Sequence, residues 1–165
     1  MKSVKAMHKK EKTIELKELA IGYSSKKNVK VIAEHITSDI CSGELTCLLG
    51  VNGIGKSTLL RTLTAFQPKL SGDIVIHGKK IEKYPEKELA TLIGVVLTEK
   101  FEIKNMTSYQ LIGLGRSPYT GFWGKLTLDD KEKIEEAISL VKIENLSERM
   151  VDTLSDGERQ KVMIA

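Results

Sequence analysis

The nine residues at 50–58, GVNGIGKST, constrain this chain more than any other segment. A glycine, four further residues and then Gly55-Lys56-Ser57 is the spacing of a phosphate-binding loop. Such a loop curls so that backbone N–H groups point inward at an anion. Side chains would block that approach, which accounts for Gly50, Gly53 and Gly55. A helix opening near Lys56 adds the positive end of its dipole. Lys56 is placed to reach the β- and γ-phosphates, Ser57 to put its hydroxyl on Mg²⁺, and Thr58 to add a hydroxyl and an amide. The four fixed positions match by accident in about one chain of this length in a hundred or fewer. Here the match also follows an apolar run and opens a helical pattern, the context such a loop requires. The segment points to an α/β domain that binds a nucleotide.

The rest of the chain reads as alternating strands and helices up to about residue 104, then as helices. Strands are expected at 13–20, 29–36, 73–77 and 93–97, with turns at 22–25 and 78–80. Residues 44–49 carry the continuous apolar run 45–49 of a buried parallel strand. Helices are expected at 57–66, where Leu59, Leu60, Leu63 and Phe66 share a face, and at 85–91, which Pro85 opens. Thr107 caps a helix to about residue 114. Thr127 and Asp130 form a Thr-x-x-Asp cap on a helix whose apolar face is Ile134, Ala137, Ile138 and Val141. A short helical turn is expected at 145–150, and Ser155 starts a last helix.

Composition narrows the class. The chain has 165 residues, 41% hydrophobic and 29% charged, as a globular domain has. No run approaches the roughly 18 apolar residues of a membrane span. Residues 1–12, MKSVKAMHKKEK, are a basic, solvated tail without the apolar centre of a secretory signal. The net charge of +4 comes largely from that tail and gives no argument for nucleic-acid binding. Cys41 and Cys47 fit neither a zinc nor a redox spacing. Cys47, in an apolar stretch, reads as a core residue, and reduced thiols fit the cytosol. His8, His35 and His77 are scattered, so protein ligands alone make no metal site.

Residues 154–160, LSDGERQ, read locally as a helix start, with Ser155 as cap and Glu158 completing a capping box. A capped helix start is also an anion site. A phosphate loop, a helical segment and this heptapeptide, in that order, resemble the ATP-binding cassette (ABC) ATPases. The stretches MTSYQLIGLGRSPYTGFWGKL and ERMVDTLSDGERQ are similar to the ATPases of iron–siderophore, haem and cobalamin importers, with 115–119, GRSPY, the most distinctive part.

The resemblance implies a P-loop core with an N-terminal antiparallel β-subdomain, an incomplete parallel sheet and a helical subdomain. Residues 13–165 would form a partial ABC ATPase domain, 13–104 being the β-subdomain and core and 105–165 the helical subdomain. It implies ATP and Mg²⁺ as cofactors, held by Gly50, Asn52, Gly53, Gly55, Lys56, Ser57 and Thr58, with Ser57 on the metal and Tyr23 stacked on adenine. It implies a head-to-tail homodimer in which Ser155 and Gly157 cover the partner's γ-phosphate. Asp156 replaces the glycine usual there, and a carboxylate near that phosphate is unfavourable unless turned away. Thr98 stands where the family has a metal-contacting glutamine, with a hydroxyl but less reach.

Permease subunits, and through them a substrate-binding protein, would be the partners, at the cytoplasmic face of a membrane. Tyr119, Phe122 and Trp123 are candidates for permease docking, against inward packing of the same aromatics. The family's acidic pair, which supports Mg²⁺ and polarises the attacking water, has no counterpart after Leu154. The chain is thus expected to be a fragment that hydrolyses no ATP alone, with apolar faces at 45–49 and 93–97 exposed. The alternatives are a truncated binding module without transport activity and a non-transport ABC ATPase of DNA repair or translation. A kinase or GTPase reading leaves the LSDGERQ segment unexplained.

Overall fold

A computed structural model describes residues 11–96, 103–121 and 123–165. The tail up to residue 10, Leu97, Thr98 and Phe122 lie outside the described residues. The chain forms two compact units, Met1–Leu89 and Ala90–Ala165.

The first unit is built on a four-stranded antiparallel sheet. Strands β1 (Lys12–Ser24), β2 (Val29–Cys41), β3 (Ser71–Ile76) and β4 (Lys79–Lys80) lie in the order β2-β1-β3-β4. Strand β1 is central because it pairs on both edges, Leu16 standing opposite Ser38 of β2 and Ile74 of β3. It buries Leu16 and then, past a register shift, Leu19, Ala20 and Ile21, together with Ile74, Ile76 and Ile81. Helix α1 (Lys56–Leu63) follows the glycine-rich loop and buries Thr58, Thr62 and Leu63. It ends before the expected residue 66. The Thr64 hydroxyl donates to the Leu60 carbonyl at 2.9 Å, and Ala65 takes a positive φ of 60°. Helix α2 (Glu86–Leu92) begins after Pro85, as expected.

Four local readings change. The turn expected at 22–25 is strand as far as Ser24, and the chain reverses at 25–28. Gly22 is needed there for close approach, since a Cβ on it would lie 2.1 Å from the Lys30 carbonyl oxygen. Residues 44–49 form no strand, and Leu45 and Leu49 are 92% and 88% exposed. Cys47 is exposed with them rather than in the core. Residues 93–96 are also without regular structure, with Val95 and Val96 exposed. A parallel strand exists only by pairing, and no described strand lies beside either run.

The second unit is helical. Helices α3 (Ser108–Leu114), α4 (Leu128–Val141) and α5 (Asp156–Ile164) pack around Ile112, Ile134, Ile138, Leu146, Leu154 and Val162. The expected turn at 145–150 is a 3-10 turn at Glu144–Leu146. All three helices start with complete capping boxes: Thr107 with Gln110, Thr127 with Asp130, and Ser155 with Glu158. No helix among the described residues is long and apolar enough to cross a membrane.

Asp130 ties the unit together. Its carboxylate accepts the Thr127 amide at 2.9 Å and the Thr127 hydroxyl at 2.7 Å. It also accepts from Arg116 Nε at 2.9 Å, and that guanidinium lies 4.0 Å over the Tyr119 ring. The Thr127 hydrogen bonds, then Arg116, hold the Asp130 carboxyl at about 2, below its ordinary 3.8. A depressed carboxyl stabilises the fold above its unfolded value and stops doing so as pH falls through the folded one. The wild-type protein is therefore expected to lose more stability than Asp130→Asn as pH falls from about 4 to about 2. Thermal melts of both across that range check this, and parallel curves would contradict it.

Candidate functional site

The cradle at 50–58 is built from the turn into α1. Gly55 is the residue before the helix, at φ 107°. That region disfavours any residue with a Cβ. A Cβ on Gly55 would also stand 2.5 Å from Ile32 Cγ2 of β2. The loop is therefore pressed against the sheet at a point where only glycine fits. The first turn of α1 has no side-chain cap and no acidic residue. Its leading amides have no helical carbonyl to pair with, and the positive dipole end is uncompensated.

Lys56 closes the curl from inside. Its ammonium donates to the Gly50 carbonyl at 2.8 Å and the Val51 carbonyl at 3.0 Å. The loop thereby has its own internal brace, and the cation is stationed at its mouth. Tyr23, one residue beyond Gly22, shares a hydrogen bond with Thr58, Oη to Oγ1 at 3.2 Å. Nearby, the Gln67 side-chain amide donates to the Gly22 carbonyl. The far end of β1 is thus tied to α1 through Tyr23 and to the segment after α1 through Gly22.

These pieces wall a cavity of about 410 Å³. Asn52, Gly53, Gly55, Lys56, Ser57 and Thr58 form one side, and Tyr23, Lys30 and Ile32 of the sheet form the other. Gly50 lies outside the lining, at the loop's start, and meets Lys56 through its carbonyl. The sequence reading missed Lys30 and Ile32. Their signal is the strand pairing that sets Lys30 opposite Tyr23, which no motif carries. The volume lies within the range of small-molecule sites, and the donor set is cationic and hydroxylic without a carboxylate. Those residue types fit a polyphosphate with a hydrated divalent cation.

Ser155 and Gly157 belong to the second unit, at the start of α5. The Ser155 hydroxyl donates to Glu158 Oε2 at 2.7 Å, and the same oxygen accepts the Ser155 amide at 2.8 Å. Arg149 holds the other carboxylate oxygen at 3.1 Å and donates to the Thr153 carbonyl at 3.0 Å. The Ser155 hydroxyl, then its amide, holds the Glu158 carboxyl below its ordinary value. Asp156 and Gly157 are exposed.

Residues 33–165 match the family profile described as ABC transporter, and the chain belongs to that family. It is 41% identical over 152 residues to an uncharacterized ABC transporter ATP-binding protein of Methanocaldococcus jannaschii, covering 92% of this chain and 51% of the relative. It is 34% identical to the probable siderophore transport system ATP-binding protein YusV of Bacillus subtilis, covering 92% and 54%. Identity is also 34% to the ferric enterobactin transport ATP-binding protein FepC of Escherichia coli, covering 90% and 53%. The chain thus spans about half the length of these relatives. Among solved structures, cbiO1 of Clostridium perfringens, part of the ABC transporter complex cbiONQ, superposes with a TM-score of 0.74 at 28% identity, covering 93% and 60%.

Gly55→Ala is expected to cost at least about 1–3 kcal/mol, from the left-handed backbone and the Ile32 contact together. Adding Ile32→Ala should recover the steric part only. Urea midpoints of the three proteins test this, and a neutral Gly55→Ala would contradict the close contact.

Proposed function

We propose that the cavity beside α1 holds Mg-ATP and that the whole protein is the ATPase subunit of an importer for metal chelates. The observation that carries the nucleotide reading is the convergence of partnerless helix amides, Lys56 and two hydroxyls on one cavity whose lining has no acidic residue. The names of the relatives, siderophore and ferric enterobactin transport, support iron–siderophore chelates as cargo. Haem and cobalamin chelates are the neighbouring classes in the same subfamily.

In this reading the loop amides and Lys56 bind the β- and γ-phosphates, which requires the ammonium to exchange loop carbonyls for phosphate oxygens. Ser57 places its hydroxyl on Mg²⁺. The metal, when bound, neutralises charge on the β- and γ-phosphates. Tyr23 offers its half-exposed ring to adenine. Ser155 and Gly157 meet the ATP held by a second copy, for which Ser155 must turn its hydroxyl away from Glu158. Asp156 turns away from that phosphate. Residues 13–104 supply the β-subdomain and P-loop core that bind the nucleotide and 105–165 the helical subdomain ending in the signature helix, with Thr98 in the place of the family's glutamine. Permease subunits dock on the helical part, at the cytoplasmic membrane face. For the chain in hand the proposal is nucleotide binding; hydrolysis and import are proposed for the whole protein.

Lys56→Ala is expected to weaken Mg-ATP binding by about 10- to 100-fold, the size of one lost charged hydrogen bond. Ser57→Ala should leave metal-free ATP binding nearly intact and remove most of the gain from Mg²⁺. Calorimetric titration of the three proteins with and without Mg²⁺ reads both effects. Unchanged affinity in Lys56→Ala would sink the assignment.

A further inference from the structure

We infer that Lys30 is a second cationic ligand of the nucleotide, recruited from the sheet rather than from the loop. The inference rests on the reading of the cavity as a nucleotide site and deepens it. Lys30 stands directly opposite Tyr23 in the β1–β2 pairing. Residues paired in this way project from the same face of the sheet, with Cβ atoms about 4.5–5.5 Å apart. Ile32, two residues further along β2 at a shift in the pairing register, is placed beside them by contact rather than by alternation. That face is the cavity wall, because Ile32 meets Gly55 and both Lys30 and Ile32 line the cavity.

Charge makes the position informative. Among the lining residues only Lys30 and Lys56 are cationic and none is acidic. The Lys56 ammonium already donates to two loop carbonyls. Three other lysines of this unit are neutralised: Lys12 pairs with Asp39 at 2.6 Å, Lys69 with Glu82 at 2.6 Å and Lys80 with Asp73 at 2.8 Å. Lys30 has neither an ion pair nor a side-chain hydrogen bond among the described residues. An unpaired cation on the wall of an acid-free cavity meets an anionic ligand at little desolvation cost, since the ligand brings the compensating charge. It stands opposite Tyr23, whose hydroxyl reaches Thr58 on α1. From there a four-carbon side chain supplies charge to the phosphate chain while the ring faces the base.

The test is calorimetric binding of ATP, ADP and adenosine to the full chain carrying Lys30→Gln, Lys30→Arg, Lys30→Glu or Lys56→Ala. Lys30→Gln is expected to weaken ATP by about 3- to 10-fold, with Lys30→Arg near wild type and Lys30→Glu weaker still. Adenosine binding should not change, and the dependence of ATP affinity on salt should flatten in Lys30→Gln. Wild-type ATP affinity in Lys30→Gln, with Lys56→Ala impaired, overturns the inference and leaves the nucleotide site standing. Equal losses for ATP and adenosine overturn it as well, because the role would then be packing. Unimpaired Lys56→Ala overturns the nucleotide reading and this inference with it.

Discussion

An α-helix begins with amide N–H groups that no helical carbonyl can take, and the rest of this site depends on where one such start is placed. The backbone enters α1 through Gly55 in a left-handed conformation, and Ile32 leaves no room there for a side chain. The absence of a side-chain cap on α1 contrasts with α3, α4 and α5, each of which satisfies its own amides with a capping box. Those three helix starts are closed by their own sequence, and that of α1 is left open. Lys56 bracing the loop from inside, and Tyr23 tied to Thr58, hold that open start against the sheet.

The start of α5 satisfies its own amides with its own side chains. Ser155 is engaged by Glu158, which Arg149 holds in turn. In the proposed dimer the serine must exchange this carboxylate for phosphate. The exchange releases one hydrogen bond of an exposed cap, a small cost beside the charge-assisted hydrogen bonds that a phosphate accepts.

Local chemistry was legible in the sequence wherever neighbouring residues decide it. Thr127 with Asp130 and Ser155 with Glu158 could be read as capping boxes because the bonds span three residues. The alternating apolar residues of β1 and the glycine spacing at 50–58 were legible for the same reason. Where distant partners decide, reading failed. Gly22 read as a turn residue, yet its work is to let β1 approach Lys30 of β2. The apolar run 45–49 read as a buried strand, yet a parallel strand needs neighbours on its edges and none of the described strands supplies one. Lys30 carries no motif at all, and its place on the cavity wall follows only from the register that sets it opposite Tyr23.

The central claim is that the open start of α1 is a polyphosphate site with a base platform at Tyr23. A crystal structure of the protein grown with Mg²⁺ and a non-hydrolysable ATP analogue tests it most directly. The account predicts phosphate oxygens within hydrogen-bonding distance of the amides and Lys56 at 50–58, with adenine against Tyr23. A nucleotide bound elsewhere, or phosphates that leave Lys56 on the Gly50 and Val51 carbonyls, would contradict it.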